Sequence, residues 1–253
     1  MNIRRYAFLL LPVVLISACG GGDLDDILNV SDPKIRFVHA APAGPNVTLY
    51  RNDTAQSDVT NVGYKSVSGY RDVDTGSAQW RLRHAGNSSE LDSINLDARR
   101  GDRYTLVALA GTSKTELLSI RDPYTVLPVP TIENVRIRMV NGSSNAQHLD
   151  AYLTSSGTDL DDTSPTLRDV DYRTARPRSG EDSLSVLGKK YRLRLTEAGT
   201  RNVVFDADLD LPHQGDWLLV TVPASGGTSS IRVLAARINR HDDVESTLEL
   251  TSR

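Results

Sequence analysis

The stretch Lys34–Tyr50, KIRFVHAAPAGPNVTLY, is written twice in this chain, returning as Arg136–Tyr152, RIRMVNGSSNAQHLDAY. Each version reads as a strand, a turn-rich loop and a second strand. In the first, Ile35, Phe37 and Val38 flank Arg36, a Pro/Gly-rich loop follows, and the second strand ends at Tyr50. Self-similarity over one supersecondary unit is the mark of a repeated module, and it limits the chain to folds that can be built by duplication.

Between the two openings the pattern is alternation. In Ala78–His84, Trp80 and Leu82 point one way and Arg81 and Arg83 the other;. Gly101-Asp102 opens the strongest run, Arg103–Ala110. Tyr104, Leu106, Ala108 and Ala110 share one of its faces, while Val107 and Leu109 make the other apolar too, so this strand is expected to be covered on both sides;. Strands are expected at 34–40, 47–51, 61–65, 78–84, 90–97, 103–110 and 115–121. Turn signals separate them: Asn52-Asp53, Ser68-Gly69, Thr75-Gly76, Gly86-Asn87 and Arg100-Gly101;. No window sustains a 3.6-residue apolar period. The fold class expected is all-β, two tandem antiparallel β-sandwich modules of immunoglobulin or transthyretin type.

The second module follows in the same order. Val170-Asp171-Tyr172 matches Val62-Gly63-Tyr64, Tyr191–Arg194 matches Trp80–Arg83, and Gly215-Asp216 opens a long apolar strand as Gly101-Asp102 does. The organisation expected is a signal segment (1–18), a tether (19–33), a first module (34–122), a Pro-rich linker (123–132), a second module (133–238) and a tail or edge strand (239–253). Three prolines in the linker remove ladder donors and favour an extended connector.

The first residues are targeting sequence rather than fold. Arg4 and Arg5 precede the apolar run Tyr6–Ile16, which is too short for a permanent membrane helix;. Ile16-Ser17-Ala18-Cys19 resembles a bacterial lipobox, which implies cleavage before Cys19 and acylation of its thiol. Cys19 is the only cysteine, so no internal disulfide is available to an exported protein, and a thioether to lipid accounts for the residue;. Gly20, in place of Asp, points such a lipoprotein to the outer membrane. Net charge is −3, and removing the signal segment takes two arginines and no acid. Without a basic field, nucleic acid is not an expected partner. The partners expected are membrane lipid through Cys19 and an envelope protein or glycan.

Ile35–Pro42 (IRFVHAAP) and Val47–Tyr50 resemble the opening of a bacterial family known as a domain of unknown function, DUF4397, whose repeats begin "VRFVHASPDAP" and continue near "VDVY". Gly101–Ala108 (GDRYTLVA) is similar to the family's later "GKRYTVVA" strand. The resemblance covers Lys34–Asp122 well and Glu133–Ile238 weakly, and many members look exported or lipid-anchored. It transfers no catalytic residue. The second copy has Asn141-Gly142-Ser143-Ser144 in place of His39-Ala40-Ala41-Pro42, so a role for His39 is not expected to be shared.

His39 is the candidate binding residue, at a strand end facing a loop. The competing reading is a hydrogen bond that orders the loop. The five histidines form no HExxH or close pair, so neither a metal site nor a cofactor is expected;. Asp206, Asp208 and Asp210 share a strand face and read as a solvated surface rather than a calcium cage; Asp72, Asp74, Asp169 and Asp171 read as surface acids. GxSxG, GxGxxG and Walker patterns are missing. Trp80, Trp217, Tyr104 and Tyr191 take inward positions. The expected function is a non-enzymatic envelope binding, adhesion or structural role. The alternatives are a periplasmic hydrolase or metal-dependent enzyme, and a carbohydrate-binding module.

Overall fold

A computed structural model of the chain describes residues 31–111, 113–123, 133–224, 230–238 and 244–253. The signal segment, Cys19, tether residues 20–30 and linker residues 124–132 lie outside them. In the first half the strands are β1 (Lys34–Ala40), β2 (Val47–Arg51), β3 (Thr54–Ala55), β4 (Arg71–Asp72), β5 (Gly76–His84), β6 (Glu90–Ala98), β7 (Arg103–Ala110) and β8 (Thr115–Asp122). The second half holds β9 (Asn134–Asn141), β10 (His148–Thr154), β11 (Leu167–Asp171), β12 (Ala175–Arg176), β13 (Leu184–Leu187), β14 (Lys190–Glu197), β15 (Val203–Asp210), β16 (Asp216–Pro223), β17 (Ile231–Ile238) and β18 (Val244–Leu250).

The halves share one topology. Sheets β4-β1-β7-β8 and β3-β2-β5-β6 form the first; β12-β9-β16-β17-β18, with β13 also on β9, and β11-β10-β14-β15 form the second. In each half the two sheets face one another across an apolar core. Ile35, Phe37, Leu49, Trp80, Leu82 and Leu106 fill the first core. Ile137, Met139, Leu149, Leu193, Phe205 and Trp217 fill the second. The all-β, sandwich-like fold is therefore the one the alternation called for. It has one addition: β1 runs parallel to β7, and β9 parallel to β16, so each half carries one parallel pair among antiparallel ones.

Two details of the sequence reading need correction. Residues 61–65 do not form a strand. Asn61 and Lys65 take positive φ (55° and 72°), which breaks the ladder and leaves Val62 as a single bridge to Val47;. The Gly-Asp openings are also one residue out of step. Lys34 N–H donates to Asp102 O and Arg136 N–H to Gly215 O, both at 3.0 Å, so Gly215 stands where Asp102 does. The left-handed turn residues are accordingly Gly101 (φ 76°) and Gln214 (φ 59°).

Turn chemistry elsewhere is as the residues dictate. Asn52 and Asp53 both take positive φ and close the two-residue β2–β3 connection, as a type I′ hairpin requires;. The tail supplies an edge strand: β18 pairs with β17. Its Glu249 accepts hydrogen bonds from Tyr64 Oη (2.9 Å) and Arg232 Nη1 (3.1 Å) and pairs with Lys65, so it ties the second half to the first. Burial raises the pKa of this carboxyl, but the three donors outweigh that and hold it below the usual glutamate value;.

A third apolar cluster joins the halves. Val38, Ala40, Val107, Leu109 and Ile120 from the first half pack with Val140, Leu218, Val220, Val222 and Leu234 from the second. The two inner sheets thus lie back to back, and β1, β7, β9 and β16 are buried on both faces, as expected for β7, with Arg36, Arg136 and Arg138 among the side chains covered. Gly142 allows the close approach: a Cβ there would lie 2.6 Å from Leu109 Cδ2 and 2.7 Å from Thr221 O;.

One end of this seam is ionic. Asp122 accepts from Arg136 Nη2 (3.1 Å) and Ser183 Oγ (2.9 Å), with Arg138 Nη2 at 3.6 Å. Arg103 Nη1 lies 4.0 Å from Asp216. Arg36 and Arg103 stack on the Tyr70 ring at 4.8 and 5.1 Å from its centroid;. Arg138 also donates to the carbonyls of Pro177, Arg178 and Glu181.

Phe37→Ala is expected to cost about 3–5 kcal/mol, because the ring is fully buried and the site cannot collapse around a missing aromatic;. Asp122→Ala is expected to cost a similar ~3–5 kcal/mol by stranding buried guanidinium groups. Urea denaturation midpoints measure both, and a loss below about 1 kcal/mol would place either residue outside the role described.

Candidate functional site

His39 closes β1 and is fully buried. Its Nε2 lies 3.0 Å from Pro45 O and its Nδ1 3.4 Å from Ala41 N. This pattern assigns Nε2–H as the donor and Nδ1 as the acceptor, the neutral ring. Burial pushes the pKa down, against the opposing pull of the Pro45 carbonyl;. His39 is therefore a brace for the loop that links β1 to β2.

The second half uses Asn141 for the same purpose, contrary to the expectation that the role is unshared. Asn141 Oδ1 accepts from Ser143 N–H (3.2 Å), as His39 Nδ1 does from Ala41, two residues on in each case. Asn141 Nδ2 donates to Ala146 O (2.6 Å) and Val170 O (3.1 Å), where His39 donates to Pro45 O. A neutral imidazole and a carboxamide each set a donor nitrogen and an acceptor atom a similar distance apart, the carboxamide having a second N–H for Val170 O, so either can brace the loop;.

The loops braced by these residues lead into β2 and β10, where the two halves share a frame that only the second half fills with ionisable groups. In the second half, His148 opens β10 and faces Asp171, its register partner at the end of β11. Asp169 takes φ 50°, and its N–H donates to Asp150 Oδ1 at 2.8 Å. The β10–β11 register shifts at this point. This bulge turns Asp169 towards its neighbours: His148 Nδ1 is 3.3 Å from Asp169 Oδ1 and closer still to Asp171 Oδ1;. The three potential ligand atoms lie within 4.8 Å of one another. A cleft of about 580 Å³ opens beside them, lined by Asn145, Gln147, His148, Asp169, Glu197 and Thr200 among others. The sequence reads Asp169 and Asp171 as surface acids and gives His148 no role. His148 and Asp169 are exposed and Asp171 is half-buried, and the structure brings the three together.

The same frame in the first half is neutral. Asn61 (φ 55°) occupies the place of Asp169, and its N–H donates to Thr48 Oγ1 at 3.1 Å as Asp169 does to Asp150. Val47 pairs with Val62 as Leu149 pairs with Val170. Asn46 therefore corresponds to His148 and Gly63 to Asp171, and a single hydrogen bond of 3.2 Å joins Asn46 Nδ2 to Asn61 Oδ1.

The other candidates are committed elsewhere. Asp206 accepts from Arg192 Nε at 2.7 Å, Asp208 pairs with Arg253, and Asp210 lies opposite Lys190. The hydrogen bond from Arg192 holds the Asp206 carboxyl below its usual pKa. This strand face is a charge ladder rather than a calcium cage. Asp74 pairs with Arg51 at 2.9 Å. Trp80 and Trp217 lie inside the two cores and Tyr104 is buried with them, while Tyr191 is half-buried with its hydroxyl on Leu187 O (2.9 Å). Cys19 lies outside the described residues.

The model of the family described as a domain of unknown function, DUF4397, matches residues 33–152, which run through the first half and end on Tyr152, the repeat of Tyr50. No curated protein matches the chain.

His39→Asn is expected to retain most of the stability that His39→Ala loses, about 1–3 kcal/mol for a buried donor and acceptor left unmet. The depressed pKa adds a pH signature. Folded His39 stays neutral while the unfolded residue protonates, so its stabilisation is complete above about pH 6.5 and declines as pH falls towards the folded value;. Melting curves across pH 5–8 should show that slope in the parent and a weaker one in His39→Asn.

Proposed function

Since residues 33–152 belong to the DUF4397 family, we propose that this protein is a lipid-anchored module of the cell envelope with a non-enzymatic binding, adhesion or structural role. The observation that carries the reading is the pairing of a lipobox-like segment ending in the sole cysteine, Cys19, with two sandwiches fused along a buried seam. Acylation of Cys19 supplies a membrane hold that an acidic surface does not, because anionic lipid repels it. Packing of the halves along the seam carries both outer sheets on one continuous body. The faces of those sheets carry matched charges, such as Arg81 and Arg83 on Asp53 and Arg192 on Asp206, which suit a polar partner in the envelope;.

Two rival readings are less well supported. A hydrolase built on His39 would need a serine or carboxylate at its ring, and both ring nitrogens face backbone groups;. A carbohydrate-binding module would need exposed aromatic faces, and both tryptophans are in the cores;.

Cys19→Ala is expected to abolish incorporation of a palmitate probe and to move the protein from the membrane fraction to the soluble one. Undiminished labelling would refute the anchor. Crosslinking in intact envelopes followed by pull-down then identifies the partner, and recovery of a covalently modified small substrate in its place would favour an enzyme.

A further inference from the structure

We infer that His148, Asp169 and Asp171 form a binding site for one divalent transition-metal ion of the zinc class. The site is separate from the anchor and from the proposed display role. Its donor set is one imidazole nitrogen and two carboxylates. That is a borderline-soft ligand with two hard ones, a combination that favours zinc over calcium or magnesium, which take oxygen ligands throughout.

The geometry is close to what the ion needs. Zinc sits about 2.0–2.2 Å from nitrogen and oxygen ligands, so tetrahedral ligands stand roughly 3.4 Å apart. His148 Nδ1 and Asp169 Oδ1 are 3.3 Å apart and all three atoms lie within 4.8 Å of one another, while His148 Nδ1 and Asp171 Oδ1 stand closer than two zinc ligands do and must separate to admit the ion. Three protein ligands leave a fourth position for water or an exogenous ligand, and the cleft of about 580 Å³ gives access to it;.

The duplication removes the main structural explanation for the cluster. The first half has the equivalent bridge (Val47–Val62), the same left-handed residue and the same backbone anchor, and it holds them with Asn46, Asn61 and Gly63. The frame therefore folds without any of the three ionisable groups. A second observation concerns the carboxylate itself. The Asp171 side chain is partly exposed, but its Oδ1 is shielded and turned onto His148 Nδ1, with which it forms an ion pair. Such an acceptor calls for a cation. The competing occupant is a proton, giving an imidazolium between two carboxylates, and Arg176 Nη2, 3.9 Å from Asp169 Oδ2, adds a positive charge that weakens metal binding;.

The test is calorimetric titration of the full chain, purified in detergent, with zinc chloride. The parent is expected to bind one equivalent with micromolar affinity. The variant His148→Asn/Asp169→Asn/Asp171→Gly, which writes the first half's residues into the second, is expected to fold and to bind at least ~30-fold more weakly. Asp171→Asn alone, the milder change, is expected to weaken binding about 10-fold. It provides the comparison should the triple variant fail to fold. Zinc should also raise the melting temperature of the parent and not that of the triple variant. Equal affinity in parent and variants would assign any bound zinc to other histidines and overturn the site. So would the lack of measurable binding by the parent, which leaves the proton as occupant.

Discussion

The central strands β1, β7, β9 and β16 are buried on both faces. They are packed on one side by their own sandwich and on the other by the opposite half, and the rest of the architecture follows from that double burial. A strand covered twice must bury successive positions, with apolar side chains as at Leu106–Leu109 and Leu218–Val220 or with bonded arginines as at Arg136 and Arg138;. It must also lie at the centre of its sheet, which is where β1–β7 and β9–β16 stand. Parallel pairing of these central strands sends the intervening chain through the outer sheet before it returns, and so each half becomes a closed two-layer unit.

The seam combines two kinds of contact that act differently. Its apolar middle is non-directional and would tolerate some sliding of one sheet over the other. The ionic end fixes the register. Asp122 reaches Arg136 and Arg138 across the boundary, and Arg103 reaches Asp216 in the reverse sense. Buried charge adds little net stability, since desolvation consumes most of the attraction, but a mispaired arrangement would be far worse. At the other margin, Glu249 on β18 engages Tyr64 and Lys65, so the C-terminal strand belongs energetically to both halves.

Most of the fold was legible because alternation reports burial directly. Trp80 and Leu82 inward with Arg81 and Arg83 outward, and a Tyr104–Ala110 run apolar on both faces, translate without loss into β5 and β7. The failures were local. Residues 61–65 look like a strand because Val62 and Tyr64 alternate, but the left-handed conformations of Asn61 and Lys65 are not written in composition. The site was less legible still. Reading His39 against its aligned counterpart by chemical type suggested divergence, whereas donor and acceptor capacity makes histidine and asparagine equivalent there. The grouping of His148 with Asp169 and Asp171 depends on strand register and a bulge, and neither shows in a single sequence. The one available signal was the repeat itself: aligning Val62 with Val170 places Asn61 and Gly63 under Asp169 and Asp171.

The parallel pairing has a kinetic side. β1 is made early, yet the neighbour that saturates its ladder, β7, begins only at Arg103, after the whole outer sheet of that half has been synthesised. Until then the apolar, β-favouring segment IRFVHA has only the two-residue β4 and the bridge through Val67 on its other edge;. Nascent molecules must therefore pass through a window in which a sticky ribbon is unshielded, and a holding factor during biosynthesis would have most to do in that interval.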